Sequence, residues 1–409
     1  MDAESFDGRG RVDVSKGYPF YVPGSLPRSF EELDLSEETL YYLAEAESSL
    51  GDLSGTGRNL LNPQLLISPY MKREAVLSSK IEGTKASLTD LYQFEIDEDS
   101  GEAAEDVQEV KNYSRALEYG EERIKQGETI DLDLIKKLHE ILMDDVAPER
   151  GANINAGIFR TIQNWIDGTN PDNARYVPPH PERVEGLMRN IEHFIQDPPK
   201  MSELVNIGLI HYQFESIHPF VDGNGRIGRL LIVLYLMERG KLSQPLLYLS
   251  AYFNKHRQEY YDHLLRVSQE ADFDSWLRFF LKGIKEQAED ALERAKKIDD
   301  LKDDYTSRMR EKERSDSFLR GIEFIFQKPV FTINDMAEEA EEMSYSTANR
   351  VVKQLVQDGI ISQVGDRERN KRYKCQELLD ILEEEDMSFD EEETRQISLT
   401  QSPEEQTSL

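Results

Sequence analysis

The most informative stretch of this sequence reads His218-Pro219-Phe220-Val221-Asp222-Gly223-Asn224-Gly225-Arg226-Ile227-Gly228-Arg229. It brings a base, a carboxylate, a glycine-rich turn and two arginines together in one short segment. Gly223 and Gly225 allow backbone N–H groups to approach phosphate oxygens, and the apolar periodicity from residue 227 to residue 237 predicts a helix whose positive end faces them. The pattern therefore indicates a site for a nucleotide triphosphate.

Spacing within this stretch refines the interpretation. Arg226 and Arg229 are three residues apart, so on a helix they project from one face, where both guanidinium groups can share one polyphosphate. Asp222 precedes the glycine turn and is placed to hold Mg²⁺, which commonly takes one or two carboxylates together with substrate oxygens. His218, with an ordinary pKa near about 6.5, is placed to take a proton from an attacking hydroxyl.

The same stretch resembles the signature of Fic-domain proteins, HxFx(D/E)GNGRxxR, with every defined position filled. The likeness extends through residues 213–217 upstream and 230–231 downstream, residues 157–166 resemble the family's flap, and roughly residues 10 to 290 can be read this way. The resemblance implies transfer of AMP from ATP to a Ser, Thr or Tyr hydroxyl of a protein, with release of pyrophosphate and with Mg²⁺ as cofactor.

Carried over by position, the resemblance makes His218 the general base and Asp222 the Mg²⁺ ligand. Asn224 and the backbone of the two neighbouring glycines would bind the α-phosphate and stabilise the charge that develops there. Arg226 and Arg229 would hold the β- and γ-phosphates. The nucleotide-binding residues implied in this way are Gly223, Asn224, Gly225, Arg226, Ile227, Gly228, Arg229 and Tyr261.

A second motif concerns activity. Residues 78–83, Ser78-Ser79-Lys80-Ile81-Glu82-Gly83, resemble the inhibitory (S/T)xxxE(G/N) helix of the family, in the subgroup that carries this helix before the Fic core. The resemblance implies an ion pair between Glu82 and Arg229, which would occupy the cation that the γ-phosphate needs. The alternative is that Glu82 is a solvated residue that ends an amphipathic helix.

The flap and the adenine site are defined less closely by the sequence. Strand-forming residues from 159 to 166, a turn-rich segment and a second extended segment from 175 predict a short β-hairpin with a wide loop, which in the family pairs with the target's backbone. The family's usual Trp-Ile-Gly-Gly reads Trp165-Ile166-Asp167-Gly168 here. Tyr261 is the expected neighbour of adenine, with Tyr260 as the alternate, and the other interpretation of both is core packing.

Composition limits the class of protein. The 80 acidic and 49 basic residues give a formal charge of −31, which argues against broad affinity for nucleic acid or anionic lipid. A halophilic source and an ordinary protein with acidic tails both fit this charge. A single cysteine, Cys375, excludes an intramolecular disulfide framework. The sequence has no apolar run of bilayer length and no signal pattern at its start, so we expect a cytoplasmic protein that does not associate with membranes.

We predict a mainly α fold in which a Fic-type helical core with a β-hairpin flap precedes a small α+β domain. The expected organisation comprises an N-terminal arm and inhibitory helix region (1–105), a Fic catalytic domain (106–290), a charged helical linker (291–314), a winged helix-turn-helix domain (315–376) and an acidic, disordered tail (377–409). The first nine residues read as unstructured.

The predicted winged helix-turn-helix domain has a third helix from residue 344 to 358 and a two-stranded wing. The wing tip carries Arg367, Arg369, Lys371 and Arg372. Such domains bind DNA, dock proteins or form dimers, and we expect DNA binding, if present, through residues 315–376. A homodimer is an open alternative.

Two classes of function follow from the sequence. The first is an autoinhibited protein adenylyltransferase, and the second is a DNA-binding regulator whose Fic core senses nucleotide. Within enzymes, a Fic protein that removes AMP or transfers a phosphoryl group remains an alternative.

Overall fold

The computed structural model describes residues 1–59, 64–96, 104–144, 146, 155–312, 315–340, 343–365 and 370–384. The first part contains β1 (Arg11–Asp13), β2 (Phe20–Val22), α1 (Glu37–Asn59), α2 (Gln64–Ile81), α3 (Leu88–Ile96), α4 (Ala104–Lys125) and α5 (Leu132–Leu142). The central part contains α6 (Pro181–Gln196), α7 (Glu203–Ile217), α8 (Asn224–Glu238), α9 (Ser250–Lys255), α10 (Arg257–Glu270) and α11 (Phe273–Glu311). The last part contains α12 (Asp316–Gln327), β3 (Val330–Thr332), α13 (Ile333–Glu339), α14 (Tyr345–Gln357), β4 (Ser362–Val364), β5 (Arg372–Lys374) and α15 (Gln376–Glu383). The predicted mainly helical fold is confirmed.

Helices α7 and α8 form the centre of the core. Both are apolar around most of their circumference, which is the pattern of a helix enclosed by neighbours rather than one with a single buried face. They pack against each other, α8 also contacts α4, and α7 contacts α6, α10 and α11. Ser202 starts α7 by accepting a hydrogen bond from Leu204 N at 3.1 Å.

The junction between α7 and α8 has an unusual backbone. His218 ends α7 in the left-handed conformation with φ 50°, which is uncommon for a residue other than glycine. Pro219 then stops the helix, and Gly223, with φ 76°, precedes the first residue of α8. This reversal turns the segment from residue 218 to 229 around the N-terminus of a buried helix.

The N-terminal arm packs beside the flap. Strands β1 and β2 pair antiparallel, with Val12 opposite Tyr21, and Tyr21 N donates to Val177 O at 2.9 Å. The prediction that residues 1–9 are unstructured is wrong, since Met1 and Phe6 are buried in an apolar cluster with β2 and the flap base.

The flap differs from the predicted hairpin. In the described part of the chain, the two expected strands meet in one isolated bridge, between Ile166 and Tyr176. The loop between them is held by its own side chains, because Asn173 Oδ1 accepts from Thr169 N and Asn170 N at 3.0 Å each. These residues form a turn and therefore do not pair as strands, so the hairpin is shorter than predicted.

The C-terminal part surrounds the small sheet β3-β5-β4, in which both pairs are antiparallel. Thr332 and Asp335 form a capping box at the start of α13. Lys371 and Arg372 of the predicted wing lie in the described part, whereas Arg367 and Arg369 lie outside it.

The predicted disordered tail is wrong for its first residues, because α15 is a helix with Leu378, Leu379 and Leu382 buried. Arg294 on α11 donates to Ile381 O and to Glu384 O, both at 2.6 Å, and so binds the last carbonyls of α15. Residues 385–409 of the predicted tail lie outside the described part.

Helix α2 lies between the core and the C-terminal part. It contacts α4, α8 and α9 on one side, and α12 and α15 on the other, while α3 contacts β3. The sequence predicts this helix to begin at Pro69, but it begins one turn earlier, with Pro69 inside it. Among the described residues, no helix is long and apolar enough to cross a membrane.

Candidate active site

The N-terminus of α8 is the place where the sequence predicts an anion site. Gly223 has no side chain with which to cap the first turn, so the leading N–H groups of α8 point outward with the positive end of the helix dipole. A Cβ atom at Gly223 would lie 3.1 Å from Leu142 Cδ2 and 3.2 Å from Met143 Sδ, so the chain passes close to the end of α5. The sequence predicts this anion site, and the backbone has the geometry for it.

The Asn224 side chain is bonded to the loop that precedes α8. Its Oδ1 accepts from Phe220 N at 2.8 Å, and its Nδ2 donates to Phe220 O at 2.9 Å. One Nδ2 hydrogen and one Oδ1 lone pair are used in this way, so the buried amide is held against the loop backbone. Asn224 therefore fixes the loop that carries the motif, and its backbone N–H remains at the helix N-terminus.

Asp222 is available to a cation. Its Oδ1 accepts from Gly223 N at 2.6 Å and lies 3.5 Å from Arg226 Nη2, while 39% of the side chain is exposed. The described residues contain no cluster of three His, Cys, Asp or Glu side chains that could hold a metal alone. A single half-exposed carboxylate beside an anion site fits Mg²⁺, which keeps waters and takes substrate oxygens.

Arg226 is engaged inside the protein. It is 2% exposed, and its Nη1 donates to Glu109 Oε2 on α4 at 2.9 Å. Glu109 also accepts from Thr84 Oγ1 at 3.3 Å. A separate carboxylate meets each arginine, since Glu109 pairs with Arg226 and Glu82 pairs with Arg229.

Arg229 is bound by residues at the end of α2. Its Nε donates to Ser78 Oγ at 2.8 Å, and its Nη2 donates to Ser78 O at 2.9 Å and to Glu82 Oε1 at 2.8 Å. Burial alone would raise the pKa of Glu82, but the Arg229 charge outweighs it and lowers this pKa. Burial acts against the charged form of Arg229 too, yet its pKa is raised by Glu82. The two groups form a charged pair.

The Glu82 carboxylate also lies over the start of α8. A Cβ atom at Gly225 would come within 2.3 Å of Glu82 Oε1 and 2.8 Å of Arg229 Nη1. Only glycine leaves room for this approach. The carboxylate thus lies where both the helix N-terminus and a guanidinium attract an anion.

His218 lies beside this pair. The ring is half-buried, and Nδ1 has no hydrogen-bond partner among the described residues. Burial lowers the pKa of His218 to about 4, the nearby Arg160 lowers it further, and Glu82 opposes the shift. The imidazole is therefore neutral at neutral pH and able to accept a proton.

A cavity of about 330 Å³ joins these groups. It is lined by Glu82, Trp165, Ile166, Asp167, Arg175, Tyr176, Glu215, Ser216, His218, Gly225, Arg229, Arg257, Tyr260, Tyr261, Leu264, Leu265 and Ser268. The flap forms one wall, and one face of α10 forms another.

Both tyrosines predicted near adenine line this cavity, but in different ways. Tyr260 is 1% exposed, its Oη lies 2.8 Å from His211 Nε2, and its ring stacks on Phe253. Tyr261 is half-buried, with the Arg257 guanidinium over its ring at 5.8 Å. Tyr260 is thus held in the core, and Tyr261 presents its ring to the cavity.

Two positions predicted to bind nucleotide are placed elsewhere. Ile227 is fully buried and its N–H donates to Gly223 O at 3.0 Å inside the helix. Gly228 faces α7, where a Cβ atom would come within 2.3 Å of Glu215 Oε1. The helical period turns both residues away from the phosphate side.

Sequence reasoning missed three residues of the site. Arg160 donates to the carbonyls of Ile162, Pro179, Ile217 and His218 and so joins the flap to the end of α7. His139 stacks on Phe220 at 3.7 Å, accepts from Gly157 N at 2.9 Å and lies 3.1 Å from Asp222 O. Burial lowers the pKa of His139 to about 4, so it is neutral. No local pattern marks Arg160 or His139 as a residue of the site. The third residue that sequence reasoning missed is Glu215, which lines the cavity.

Two segments of the chain match models of a known protein family. Residues 129–236 match the family model of the Fic/DOC family, and residues 40–122 match that of the Fic/DOC family N-terminal region. The chain contains a Fic/DOC domain. Helix α2, which carries Ser78, and Glu82 directly after it belong to the N-terminal match, and the α7–α8 junction belongs to the Fic/DOC match itself.

Curated relatives of the Fic/DOC domain carry a function in their names. Protein adenylyltransferase Fic from Drosophila grimshawi is 31% identical over 181 residues, or 44% of this chain and 34% of that protein. The protein of the same name from Drosophila virilis is 32% identical over 181 residues, or 44% of this chain and 33% of that protein. The chain thus spans about a third of the length of these relatives.

A solved structure shares the fold around the Fic/DOC domain. The crystal structure of a Fic family protein from Desulfovibrio desulfuricans G20 has a TM-score of 0.54 and 22% identity, and the match covers 83% of this chain and 96% of that chain. At this identity the likeness concerns the fold alone.

Proposed function

We propose that this protein is a protein adenylyltransferase that moves AMP from ATP to a Ser, Thr or Tyr hydroxyl of a protein, and that Glu82 holds it inactive. The observation that carries the proposal is the Glu82–Arg229 pair at 2.8 Å, located over the N-terminus of α8 and beside a neutral His218. The Drosophila relatives named protein adenylyltransferase Fic support the reaction type.

The proposed reaction follows from the positions of the groups. The target hydroxyl oxygen attacks the α-phosphorus while His218 accepts the hydroxyl proton, the bond from the α-phosphorus to the bridging oxygen breaks, and pyrophosphate leaves. The first N–H groups of α8 stabilise the charge on the α-phosphate oxygens. Mg²⁺, when bound through Asp222, neutralises phosphate charge and orients the leaving group.

Inhibition follows from competition for one cation. A γ-phosphate at Arg229 would meet the Glu82 carboxylate, and two anions at this distance repel each other strongly in a buried site. ATP then binds only with its phosphates displaced from the productive line, so transfer is slow until Glu82 moves away. Ser78 supports the pair, because its hydroxyl and carbonyl orient the Arg229 guanidinium toward Glu82.

The flap supports a protein as the target. Ile162 and Trp165 are 57% and 40% exposed, and Trp165 lines the cavity that contains His218. Exposed apolar side chains on the flap are suited to an extended peptide, which we expect to bind along it as an added strand. Asp167 adds an acidic group to this path, which favours target segments with a basic residue near the hydroxyl.

We also propose that residues 315–376 form a winged helix-turn-helix domain. The order α12, β3, α13, α14, β4, β5 and the sheet order β3-β5-β4 support this fold. Ser346, Arg350 and Lys353 are exposed on α14, which makes DNA a candidate ligand of this face. Fluorescence anisotropy of labelled duplex DNA, with Lys353→Ala for comparison and at stated salt, tests this role.

Removal of AMP is the second candidate reaction, because the half-exposed Glu82 carboxylate lines the same cavity as His218. In that reaction Glu82 would orient a water toward the phosphorus, and Glu82→Gly would abolish activity instead of raising it.

Transfer of label from α-³²P-ATP to protein tests the proposal, with Mg²⁺ present and with lysate proteins as acceptors. We expect little label with the wild type, strong label with Glu82→Gly, and none with Glu82→Gly combined with His218→Ala. Absence of label from the Glu82→Gly variant would refute the transferase proposal. Loss of AMP from labelled protein only when Glu82 is present would favour the removal reaction.

A further inference from the structure

The cavity contains a second acidic residue that the proposed reaction does not use. Glu215 lies on α7, one turn before His218, and lines the cavity together with Glu82 and Arg229. Its Oε1 is buried and has no hydrogen-bond partner among the described residues. A buried polar atom without a partner is costly, so a group of this kind at a cavity wall indicates a ligand contact.

The backbone of α8 is shaped to admit this carboxyl group. A Cβ atom at Gly228 would lie 2.3 Å from Glu215 Oε1 and 3.3 Å from His211 Cε1. Any larger residue at position 228 would displace the carboxyl group. The close approach of Gly228 therefore fixes Glu215 at the cavity wall, between the phosphate side at Gly225 and the aromatic side at Tyr261.

Burial favours the neutral form of Glu215. Burial raises the pKa of Glu215 to about 8, Glu82 raises it as well, and Arg229 lowers it. The other titratable or charged groups that face the cavity are His218 on the α7–α8 junction, Arg257, Tyr260 and Tyr261 on α10, and Asp167 and Arg175 on the flap. His211 on α7 is neutral, since burial lowers its pKa to about 3. A neutral carboxyl group carries a proton that it can donate.

We propose that Glu215 is a nucleotide-binding residue whose carboxyl O–H donates a hydrogen bond to an acceptor oxygen or nitrogen of the nucleotide in this cavity. The inference rests on the proposed function, because it takes a nucleotide as the ligand. An ionised Glu215 would instead add a second negative charge beside Glu82 and repel the phosphates. Donation from a neutral acid lets an acidic side chain contact an anionic substrate.

Direct binding of ADP to the full chain tests this role without requiring transfer. Isothermal titration calorimetry from pH 7 to pH 9.5 measures Kd for the wild type, Glu215→Gln and Glu215→Ala. We expect the wild-type affinity to fall about tenfold over this range, as the donor proton is lost. At pH 7, Glu215→Gln should bind within about threefold of the wild type, because its amide retains N–H donors, and Glu215→Ala should bind about tenfold more weakly.

The Glu215→Gln variant distinguishes titration of Glu215 from titration of the other groups that affect ADP binding. Ionisation of ADP itself affects all variants equally, so only a difference between the wild-type and Glu215→Gln pH profiles supports the inference. Glu259→Gln removes an exposed carboxyl from α10 that does not line the cavity, and it should behave like the wild type. Thermal unfolding verifies that each variant is folded.

Three results would overturn the inference. These are identical pH profiles for the wild type and Glu215→Gln, wild-type affinity in a folded Glu215→Ala, and no binding of ADP to the wild type at all. The last result would also remove the nucleotide-binding part of the proposed function. Normal ADP binding with no transfer from any variant would refute the transferase activity and leave the role of Glu215 standing.

Discussion

Glu82 Oε1 lies 2.8 Å from Arg229 Nη2 and at the same time directly over Gly225, the second residue of α8. One carboxylate thus meets two features that attract anions, a guanidinium and a helix N-terminus. A nucleotide phosphate needs the same two features. We propose that Glu82 competes with this phosphate, and its removal is the most direct test of that regulation.

Glu82→Gly should raise transfer of AMP at least about tenfold, which corresponds to roughly 1.4 kcal/mol of relieved competition. Glu82→Gln, which keeps the shape but loses the charge, should give an intermediate increase, because the amide still fills the space over Gly225. Initial rates with labelled ATP at saturating target measure both. A Glu82→Gly variant no faster than the wild type, with unchanged ATP affinity, would rule out the competitor role.

The C-terminal helix α15 should help to hold Glu82 in place. Arg73 on α2 lies 4.0 Å from Asp290, Asp290 pairs with Arg294 at 2.8 Å, and Arg294 binds the last carbonyls of α15. Removal of α15 takes away the acceptors of a buried guanidinium and one of the neighbours of α2. A chain that ends at Cys375 should therefore transfer AMP several-fold faster than the wild type.

A chain that ends at Glu384 is the matched control for this truncation, because it keeps α15 and the carbonyl acceptors of Arg294. Its transfer rate should equal that of the full chain. Equal rates for the two truncated chains would show that α15 does not restrain α2. Thermal unfolding of both chains separates relief of inhibition from general loss of structure.

The pH dependence of transfer should have an unusual acid limb. His218 is the proposed base, and its pKa of about 4 lies below the ordinary value because burial disfavours the imidazolium. A base with a lowered pKa stays deprotonated to lower pH, so kcat/KM of Glu82→Gly should not decline as the pH falls from 7 to about 5.5. A decline centred near pH 6.5 would instead indicate a solvated histidine.

Local sequence patterns account for the motif but not for the partners of its residues. The glycine turn and the apolar period locate the α7–α8 junction, and the inhibitory motif locates Glu82. Glu109 could not be predicted as the partner of Arg226, since it comes from α4, 117 residues away in the chain. Likewise, His139 and Arg160 act through backbone groups that only the fold brings close.

The two errors at the ends of the chain have a common cause. The sequence predicts that residues 1–9 and 377–383 are polar and unstructured. A few apolar side chains in each segment are nevertheless buried in the folded protein. Tertiary contacts with the flap base and with α11 stabilise these two segments, whose local sequence does not favour regular structure by itself. The flap shows the reverse case, because its strand-forming residues have no neighbouring strand within the described part of the chain apart from one bridge.

Asn224 should act through the loop and not through the phosphate. Asn224→Ala removes two hydrogen bonds to Phe220 and leaves a buried backbone N–H and C=O without these partners, at a cost of about 1–3 kcal/mol in unfolding free energy. Asp222 lies in the same loop, so the KM for Mg²⁺ should rise more than the KM for ATP. Urea unfolding and Mg²⁺ titration of transfer measure the two effects. If Asn224→Ala lost ATP affinity at unchanged stability, Asn224 would instead be a direct ligand of the phosphate.

Ionisation of Glu74 should weaken the packing of α2 beside the active site, so this packing should depend on pH. It lies one turn before Ser78, it is 2% exposed, and its Oε1 accepts from Tyr113 Oη at 3.1 Å and Ser250 Oγ at 2.5 Å. Burial raises the pKa of Glu74 to about 7. Because the folded pKa exceeds the unfolded value, its contribution to stability is fully present below about pH 4.5 and is lost as the pH rises through 7.

Glu74→Gln keeps an acceptor for Tyr113 and Ser250 but cannot ionise, so it should raise the unfolding free energy by about 1–3 kcal/mol at pH 8.5 and change it little at pH 5. Urea unfolding at the two pH values measures this difference, and Glu293→Gln, which alters a largely exposed carboxyl, serves as the control. Since Ser78 lies on α2 and Glu82 directly follows its last residue, wild-type transfer should increase above pH 7 as α2 loosens, and Glu74→Gln should suppress this increase. If the wild type and Glu74→Gln respond equally to pH in both measurements, α2 is held independently of Glu74.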